Sequence, residues 1–370
     1  PRSQRRRVSI GSVQTIPVTP TGHGTLGYLV VVRTDDGLAG VGEIASDCHP
    51  ASVAHVVRRF RLVGRDASRI EDLVQSLHHG SFWRGGPIHT SAVSAVEQAL
   101  WDLKGKRLGV PVYELVGGKV RDRVELYTHA RFGREGGDEF AASAREAIDL
   151  GFKAVKFDPL GLAQIEIEGR QLREAVQRVG IIRDAVGPDN GVLIEGHGRL
   201  SADSAIRFID AAAEYEPFFF EEPCPPENPE EIARVAASTS IPIAAGERCY
   251  GRWDFRPLLE AGALAYVQPD LCHCGGFWEG RKIAALAEVY RARVMPHNPN
   301  GPISTLVGVH LAACTPNFGM LEYPRQPTER PPVLKGLPEV VDGGIEVPDR
   351  PGWGVEIDED VLAGFAEERD

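Results

Sequence analysis

The chain has 370 residues, of which 42% are hydrophobic and 25% charged, and it carries a net charge of −11. That composition is ordinary for a globular protein, its negative charge argues against nucleic acid and anionic membranes as partners, and its length calls for two domains or a barrel with a smaller companion. No apolar run approaches the ~20 residues of a membrane span, and six cysteines are too few for a disulfide scaffold, so a cytoplasmic protein is expected.

The basic start, PRSQRRRVSI, lacks the apolar core of a secretory signal and is expected to lead into the first strand. Residues 8–16 and 28–33 alternate apolar and polar side chains and predict two strands. The turn Thr34-Asp35-Asp36-Gly37 then leads into LAGVGEIA, a hairpin signal with glycine where the backbone must turn tightly. Residues 51–79 predict helix: Val53, Val56, Val57 and Phe60 share one face, as do Ile70, Leu73, Val74 and Leu77. A third helix is predicted from about residue 91 to 108, with a stripe of Val93, Val96, Leu100 and Leu103. Strands followed by helices predict an α+β domain over residues 1–120.

The pattern changes after Lys119. Residues 124–127 open a strand, 139–150 form an Ala-rich helix ending at Gly151, KAVKFDP is a strand, 170–185 a helix, and GVLIE a strand again. The alternation continues to Glu322 and predicts a parallel (β/α) barrel over residues 121–322. Residues 323–370 contain Pro/Gly-rich pieces without helical period, and are expected to fold back against the first domain.

The barrel strands end in polar residues at near-regular steps. GVLIE ends at Glu195, FFFE at Glu221 and IPIAAGE at Glu247, each 26 residues after the last, and the series continues with Asp270, His297 and Glu322. The C-terminal ends of barrel strands surround one mouth. Three carboxylates converging there repel one another unless a cation neutralises them. Glu195, Glu221 and Glu247 are therefore the expected ligands of a hard divalent ion, with magnesium the best fit and manganese able to replace it. Glu222, next to Glu221, is expected to point away and support the site from behind. Glu195 and His197 lie two apart and should face the same way, as should Lys156 and Asp158 on an earlier strand. Asp270 and His297 end successive strands, so the carboxylate can fix the tautomer of the imidazole and make its other nitrogen a base. His197, beside a metal ligand, can bind metal or serve as a second acid or base. Cys272-His273-Cys274 resembles a metal tripeptide but has no second half at a suitable spacing, and reads as packing.

The spacing from Glu195 to Glu322 resembles the enolase superfamily, mandelate racemase subgroup, and within it the acid-sugar dehydratases of galactonate dehydratase type. DGLAGVGE, FWRGGP and SAVEQALWDLKGK are similar to that branch's capping domain, and GERCYGRWDFRPLLEAG, QPDLCHCGGFWEGRKIAALAE and PHNPNGPIS to its barrel. The resemblance implies a (β/α)7β modified TIM barrel with an N-terminal α+β capping domain completed by the C-terminal tail. It further implies an enzyme, a carbon–oxygen lyase in which magnesium and a hydrogen bond from Glu322 stabilise an ene-diolate. His297, backed by Asp270, would take the C2 proton of an aldonic or aldaric acid. His197 would protonate the departing 3-hydroxyl, leaving a 2-keto-3-deoxy acid. A small-molecule sugar-acid substrate and a homo-oligomer are expected.

Two positions depart from the subgroup. Its racemases carry Lys-x-Lys where this chain has Lys156-Phe157-Asp158, so the lysine base of one face is missing. Glu195 stands where the branch usually has Asp, and one extra methylene is appreciable against the ~2.1 Å reach of a magnesium bond. An epimerase, racemase or cycloisomerase on the same enolate chemistry, with Lys156 as its base, and a non-catalytic sugar-acid-binding relative are the alternatives. Residues 19–25, residues 45–50 with His49, and Arg84 are the expected capping positions that meet substrate.

Overall fold

The computed structural model describes residues 8–18, 27–80, 82–130, 137–325 and 333–363. It opens with an antiparallel sheet of β1 (Ile10–Val18), β2 (Gly27–Thr34) and β3 (Ala39–Ile44), followed by helices α1 (Pro50–Arg59), α2 (Ile70–His79) and α3 (Pro87–Leu108). The stretch expected to be helical over 51–79 is broken between α1 and α2. Its middle instead bonds to the sheet: Gly64 N donates to Ile10 O, Ile10 N to Arg65 O, and Ala67 N to Val8 O. These bonds offer the backbone partners that a helix would have had to supply.

The glycines of DGLAGVGE serve two purposes. Gly37 has φ 86° in the turn, a conformation that suits glycine. Gly40 and Gly42 instead let α3 lie directly on β3: a Cβ on Gly42 would stand 2.0 Å from Ala95 O, and one on Gly40 2.1 Å from Ala99 O.

The barrel alternates β4 (Arg123–His129), α4 (Gly137–Asp149), β5 (Ala154–Phe157), α5 (Gly169–Val186), β6 (Gly191–Glu195), α6 (Ala202–Ala212), β7 (Phe219–Glu221) and α7 (Pro229–Ala237). It continues with β8 (Ile243–Ala245), α8 (Arg252–Glu260), β9 (Tyr266–Val267), α9 (Phe277–Val289), β10 (Arg293–Val294), α10 (Pro302–Ala313) and β11 (Leu321–Tyr323). Strands β4 to β10 pair in parallel with their sequence neighbours, and β11 pairs in parallel with β4. On its other side the same segment meets β10, where Val294 N donates to Asn317 O and Gly319 N to Val294 O. Residues 317–323, which include β11, thus lie between β10 and β4 and bond to both.

The tail contributes β12 (Leu334–Lys335), β13 (Val340–Val341), β14 (Gly344–Glu346), β15 (Glu356–Ile357) and α11 (Glu359–Leu362). It reaches both halves. β14 pairs antiparallel with the start of β4. Trp353, fully buried, donates from N to Asp102 Oδ1 at 2.8 Å and from Nε1 to Val41 O and Gln98 O.

The motif VEQALWD on α3 joins the small sheet to the barrel through buried polar groups. Glu97 accepts from Phe277 N at 2.8 Å and Trp278 N at 2.9 Å, at the start of α9. Glu43, at the end of β3, accepts from Gly301 N, Ile303 N and Ser304 N at the start of α10. Free N–H groups at a helix start are natural partners for a carboxylate. Burial raises the carboxyl groups of Glu43 and Glu97 to about 7 and about 8, while the N–H groups pull the other way. Gln98 completes the link, accepting from Glu43 N and donating to Leu271 O.

Candidate active site

Inside the barrel, Tyr127, Ala154, Leu193, Phe219, Ala244 and Met295 form a buried cluster, with Tyr266 and Met320 packed against it. Side chains two apart on a strand point the same way. Two residues beyond Tyr127, Ala154, Leu193, Phe219, Met295 and Met320 come His129, Lys156, Glu195, Glu221, His297 and Glu322. An apolar ring therefore carries a polar ring above it. β8 is the exception, because Gly246 fills the corresponding position with φ 136° and Glu247 follows it. A Cβ there would come within 2.3 Å of the Phe255 ring.

Carboxylate oxygens of Glu195, Glu221 and Glu247 lie within 4.8 Å of one another. Glu221 Oε2 is buried without a hydrogen-bond partner. Burial, and then the charge of Glu221, push the Glu195 carboxyl well above its ordinary value. An orphaned buried oxygen beside two further carboxylates suits a hard divalent cation, whose ligands are oxygens. Lys156 Nζ stands among the same groups, 2.8 Å from Glu221 Oε1, 2.9 Å from Glu322 Oε1 and 3.3 Å from Glu195 Oε2. Burial works against its charge, but Glu221 and Glu322 outweigh it and hold the ammonium well above its usual pKa.

His297 Nδ1 lies 2.9 Å from Asp270 Oδ2, and its Nε2 lies 3.4 Å from Glu247 Oε2. Asp270 is further held by Cys272 N at 2.7 Å and Asn300 Nδ2 at 2.9 Å. Burial lowers the His297 pKa, yet Glu247 and Asp270 outweigh it and raise it well above the ordinary histidine value.

His197 occupies a turn rather than a continuing strand, with φ 51°. Its N donates to Glu195 Oε1 at 2.7 Å, and its half-exposed ring lies 2.9 Å through Nδ1 from Asp158 Oδ2. Lys156 and Asp158 do not act as the pair their spacing suggested. Lys156 joins the carboxylates, whereas Asp158, just past β5, turns to His197 and to Arg199 at 2.5 Å. Burial raises the Asp158 carboxyl, but the bond to His197 and the charge of Arg199 outweigh it and lower its pKa.

Glu322 is an acceptor here, which differs from the donor role expected of it. Lys156 Nζ and His129 Nε2 contact Oε1, and Asn298 N donates to Oε2 at 2.8 Å. Burial raises its carboxyl, but Lys156 and His129 outweigh that and hold it well below the usual range. Glu222 is buried and faces away from the triad toward Gly246 N and Arg248. Burial and Glu247 raise its carboxyl to about 7 against the pull of Arg248.

Sequence reasoning missed several groups. His129 was visible as the residue two beyond an inward Tyr127. Arg199, Asn298 and Asn300 had no such signal, since each sits on a loop. Among the capping positions, His49 is exposed at the start of α1 and Arg84 is exposed before α3, while residues 19–25 lie outside the described residues.

Comparison with known proteins decides the family. Residues 9–117 match the model of the mandelate racemase/muconate lactonizing enzyme N-terminal domain, and residues 139–361 match the enolase C-terminal domain-like model. The chain belongs to the mandelate racemase/muconate lactonizing enzyme family of the enolase superfamily. It is 40% identical over 343 residues to a D-galactonate dehydratase of Xanthomonas oryzae pv. oryzae, covering 90% of this chain and 88% of that one. A D-galactonate dehydratase of Cronobacter sakazakii is 39% identical over 341 residues, covering 89% and 88%. The crystal structure of an enolase superfamily member from Salmonella Typhimurium superposes with a TM-score of 0.91 at 33% identity, covering 97% of this chain and 98% of that one.

Both departures of this member from its family's pattern have a structural counterpart. The longer Glu195 still brings an oxygen within 4.8 Å of those of Glu221 and Glu247. Asp158, in place of the second lysine, backs an imidazole. No helix among the described residues is long and apolar enough to cross a membrane.

Proposed function

We propose that the protein is a magnesium-dependent dehydratase of aldonic or aldaric acids, removing the C2 proton and the 3-hydroxyl to give a 2-keto-3-deoxy acid. The observation that carries this reading is a pair of carboxylate-backed imidazoles, His297 on Asp270 and His197 on Asp158, the first beside Glu247 and the second beside Glu195 of one carboxylate triad. Glu195, Glu221 and Glu247 would hold the ion. What magnesium supplies is charge, spreading the negative charge that builds on the substrate carboxylate and offsetting the Glu247 charge that otherwise keeps a proton on His297.

His297 Nε2 takes the C2 proton, with Nδ1 kept in place by Asp270. The electron pair of the C2–H bond moves into the C1–C2 bond, making an enediolate. Lys156 balances negative charge beside Glu221 and Glu322. The enediolate then collapses, forming the C2–C3 double bond and breaking C3–O, and His197 Nε2 gives the leaving oxygen its proton so that water departs. The enol tautomerises to the ketone.

The curated relatives named D-galactonate dehydratase support this class of reaction. Racemisation would require a second base facing His297. Asp158 is occupied by His197, Arg199 and Leu160 N, and Lys156 is kept charged by three carboxylates. We also propose a homo-oligomer; Phe82 and Trp83 form an exposed aromatic pair that a second copy would cover, and light scattering on purified protein checks it.

The test is a panel of C5 and C6 sugar acids incubated with protein and magnesium, with semicarbazide trapping the ketone. Ketone from at least one acid is expected. Inversion at C2 without ketone would replace this reading with a racemase.

A further inference from the structure

The Cys272-His273-Cys274 tripeptide is only partly packing. Both cysteine thiols are buried in the barrel, but the imidazole between them meets three separate parts of the molecule. His273 Nδ1 lies 2.7 Å from Ser91 Oγ on α3, and Nε2 lies 3.2 Å from Asp47 Oδ1 on the capping loop of residues 45–50. The same Nε2 is 4.0 Å from Asp270 Oδ2, the oxygen that His297 Nδ1 contacts at 2.9 Å.

The protons follow from the partners. Ser91 has one hydroxyl proton, and it goes to Pro87 O at 2.5 Å, one turn earlier in α3. Its oxygen is left to accept, so Nδ1 carries a hydrogen. Nε2 faces only carboxylate oxygens, which are acceptors when ionised. A lone pair there would oppose two negative groups, so Nε2 carries a hydrogen as well. Burial disfavours the resulting imidazolium, but Asp270 and Asp47 outweigh it and raise the His273 pKa. The other ionisable groups facing this cluster are His297, which opposes the charge, and Cys48, which lies beside Asp47 and Ser91.

We propose that His273 is a positioning residue: a buried imidazolium that latches the capping loop through Asp47 while bracing Asp270 behind His297. Closing the loop over the mouth and orienting the base's carboxylate then become one event. Loss of the latch frees the loop and leaves Asp270 with one brace fewer. The kinetic consequence rests on the dehydratase reading; the latch itself does not.

The experiment compares wild type, His273→Gln, Asp47→Asn and the double variant. In metal-free protein without substrate, hydrogen–deuterium exchange of residues 45–50 should quicken in both single variants, and equal rates in all four proteins would overturn the proposal. Nitrogen-15 NMR of ring-labelled histidine, assigned by the His273→Gln spectrum, should show a doubly protonated His273 ring at neutral pH; a neutral ring would also overturn it. With substrate, each single variant should raise KM about tenfold, the scale of one lost charge-assisted hydrogen bond. The double variant should be no worse than the worse single one, because both remove the same contact. His273→Gln should also lower kcat several-fold more than Asp47→Asn does, since only His273 approaches Asp270, at 4.0 Å, whereas a purely structural role would leave kcat alike in the two variants. If His273→Gln fails to fold, Asp47→Asn, on a partly exposed side chain, still decides the exchange arm. If the wild type dehydrates no sugar acid, the proposed function fails while the exchange and NMR arms still judge the latch.

Discussion

Replacing Lys156 with methionine is the most direct probe of the electrostatics at the mouth. Three carboxylates, Glu195, Glu221 and Glu322, face the Lys156 ammonium, whose side chain is 1% exposed. At 2.8 Å from Glu221, one such contact is worth about 6 kcal/mol gross at an effective dielectric of about 20. Much of that offsets desolvation, and breaking a buried pair from one side typically costs about 3–5 kcal/mol. Metal-free Lys156→Met should therefore unfold roughly 10 °C below wild type, at about 2–4 °C per kcal/mol for a domain of barrel size. The bared carboxylates can relieve the strain by taking up protons, so the deficit should grow as pH rises, being larger near about pH 8 than near about pH 6. Millimolar magnesium, supplying charge in place of the ammonium, should raise the variant's melting temperature more than that of wild type. Circular dichroism melts with chelator and then with magnesium read both effects. A variant that melts with wild type in chelator, or ignores magnesium, would refute the account of this cluster.

Other outcomes follow from the same structure. His297→Asn should abolish exchange of the substrate C2 proton with deuterated solvent, whereas His197→Asn should keep that exchange and lose ketone formation; NMR of the substrate and the semicarbazide assay separate the two. Trp353→Ala should destabilise the protein by about 3–5 kcal/mol, since it empties a fully buried site that ties the tail to Val41 and Gln98, and urea unfolding that shows less than about 1 kcal/mol would count against that tie. His310 is buried as the neutral ring, accepts from Tyr113 N, and is pushed by burial to a pKa of about 3. Its folded pKa lies below the unfolded one, so its contribution is full above about pH 6.5 and is lost as pH falls toward 3, at up to about 1.4 kcal/mol per pH unit. His310→Asn, which does not titrate, should flatten the acid limb of a stability-against-pH curve, and an unchanged limb would sink the assignment.

Residue type and period carried much of this protein. The apolar runs closing in Glu195, Glu221 and Glu322 located the strands and the carboxylates that gather around Lys156 together, because alternation on a strand aims every second side chain inward. The same rule offered His129 two residues after Tyr127. The family was legible too, in motifs whose glycines and carboxylates answer to local demands: Gly37 to a turn, Gly42 to a helix lying on it, Glu43 and Glu97 to helix starts.

Other features depended on neighbours distant in sequence. The break between α1 and α2 reflects backbone bonds to β1 that no local periodicity encodes. Asp158 reads in sequence as a lost lysine and becomes the support of His197 only when β5 and β6 lie side by side. Glu322 reads as a donor, yet Lys156, His129 and Asn298 together make it an acceptor. His273 reads as filler between two cysteines until the capping loop and α3 close on it from a different part of the chain. A side chain's type is written in its codon, but its charge, its proton and its partner are set by burial and by what the folded chain brings within about 3 Å of it.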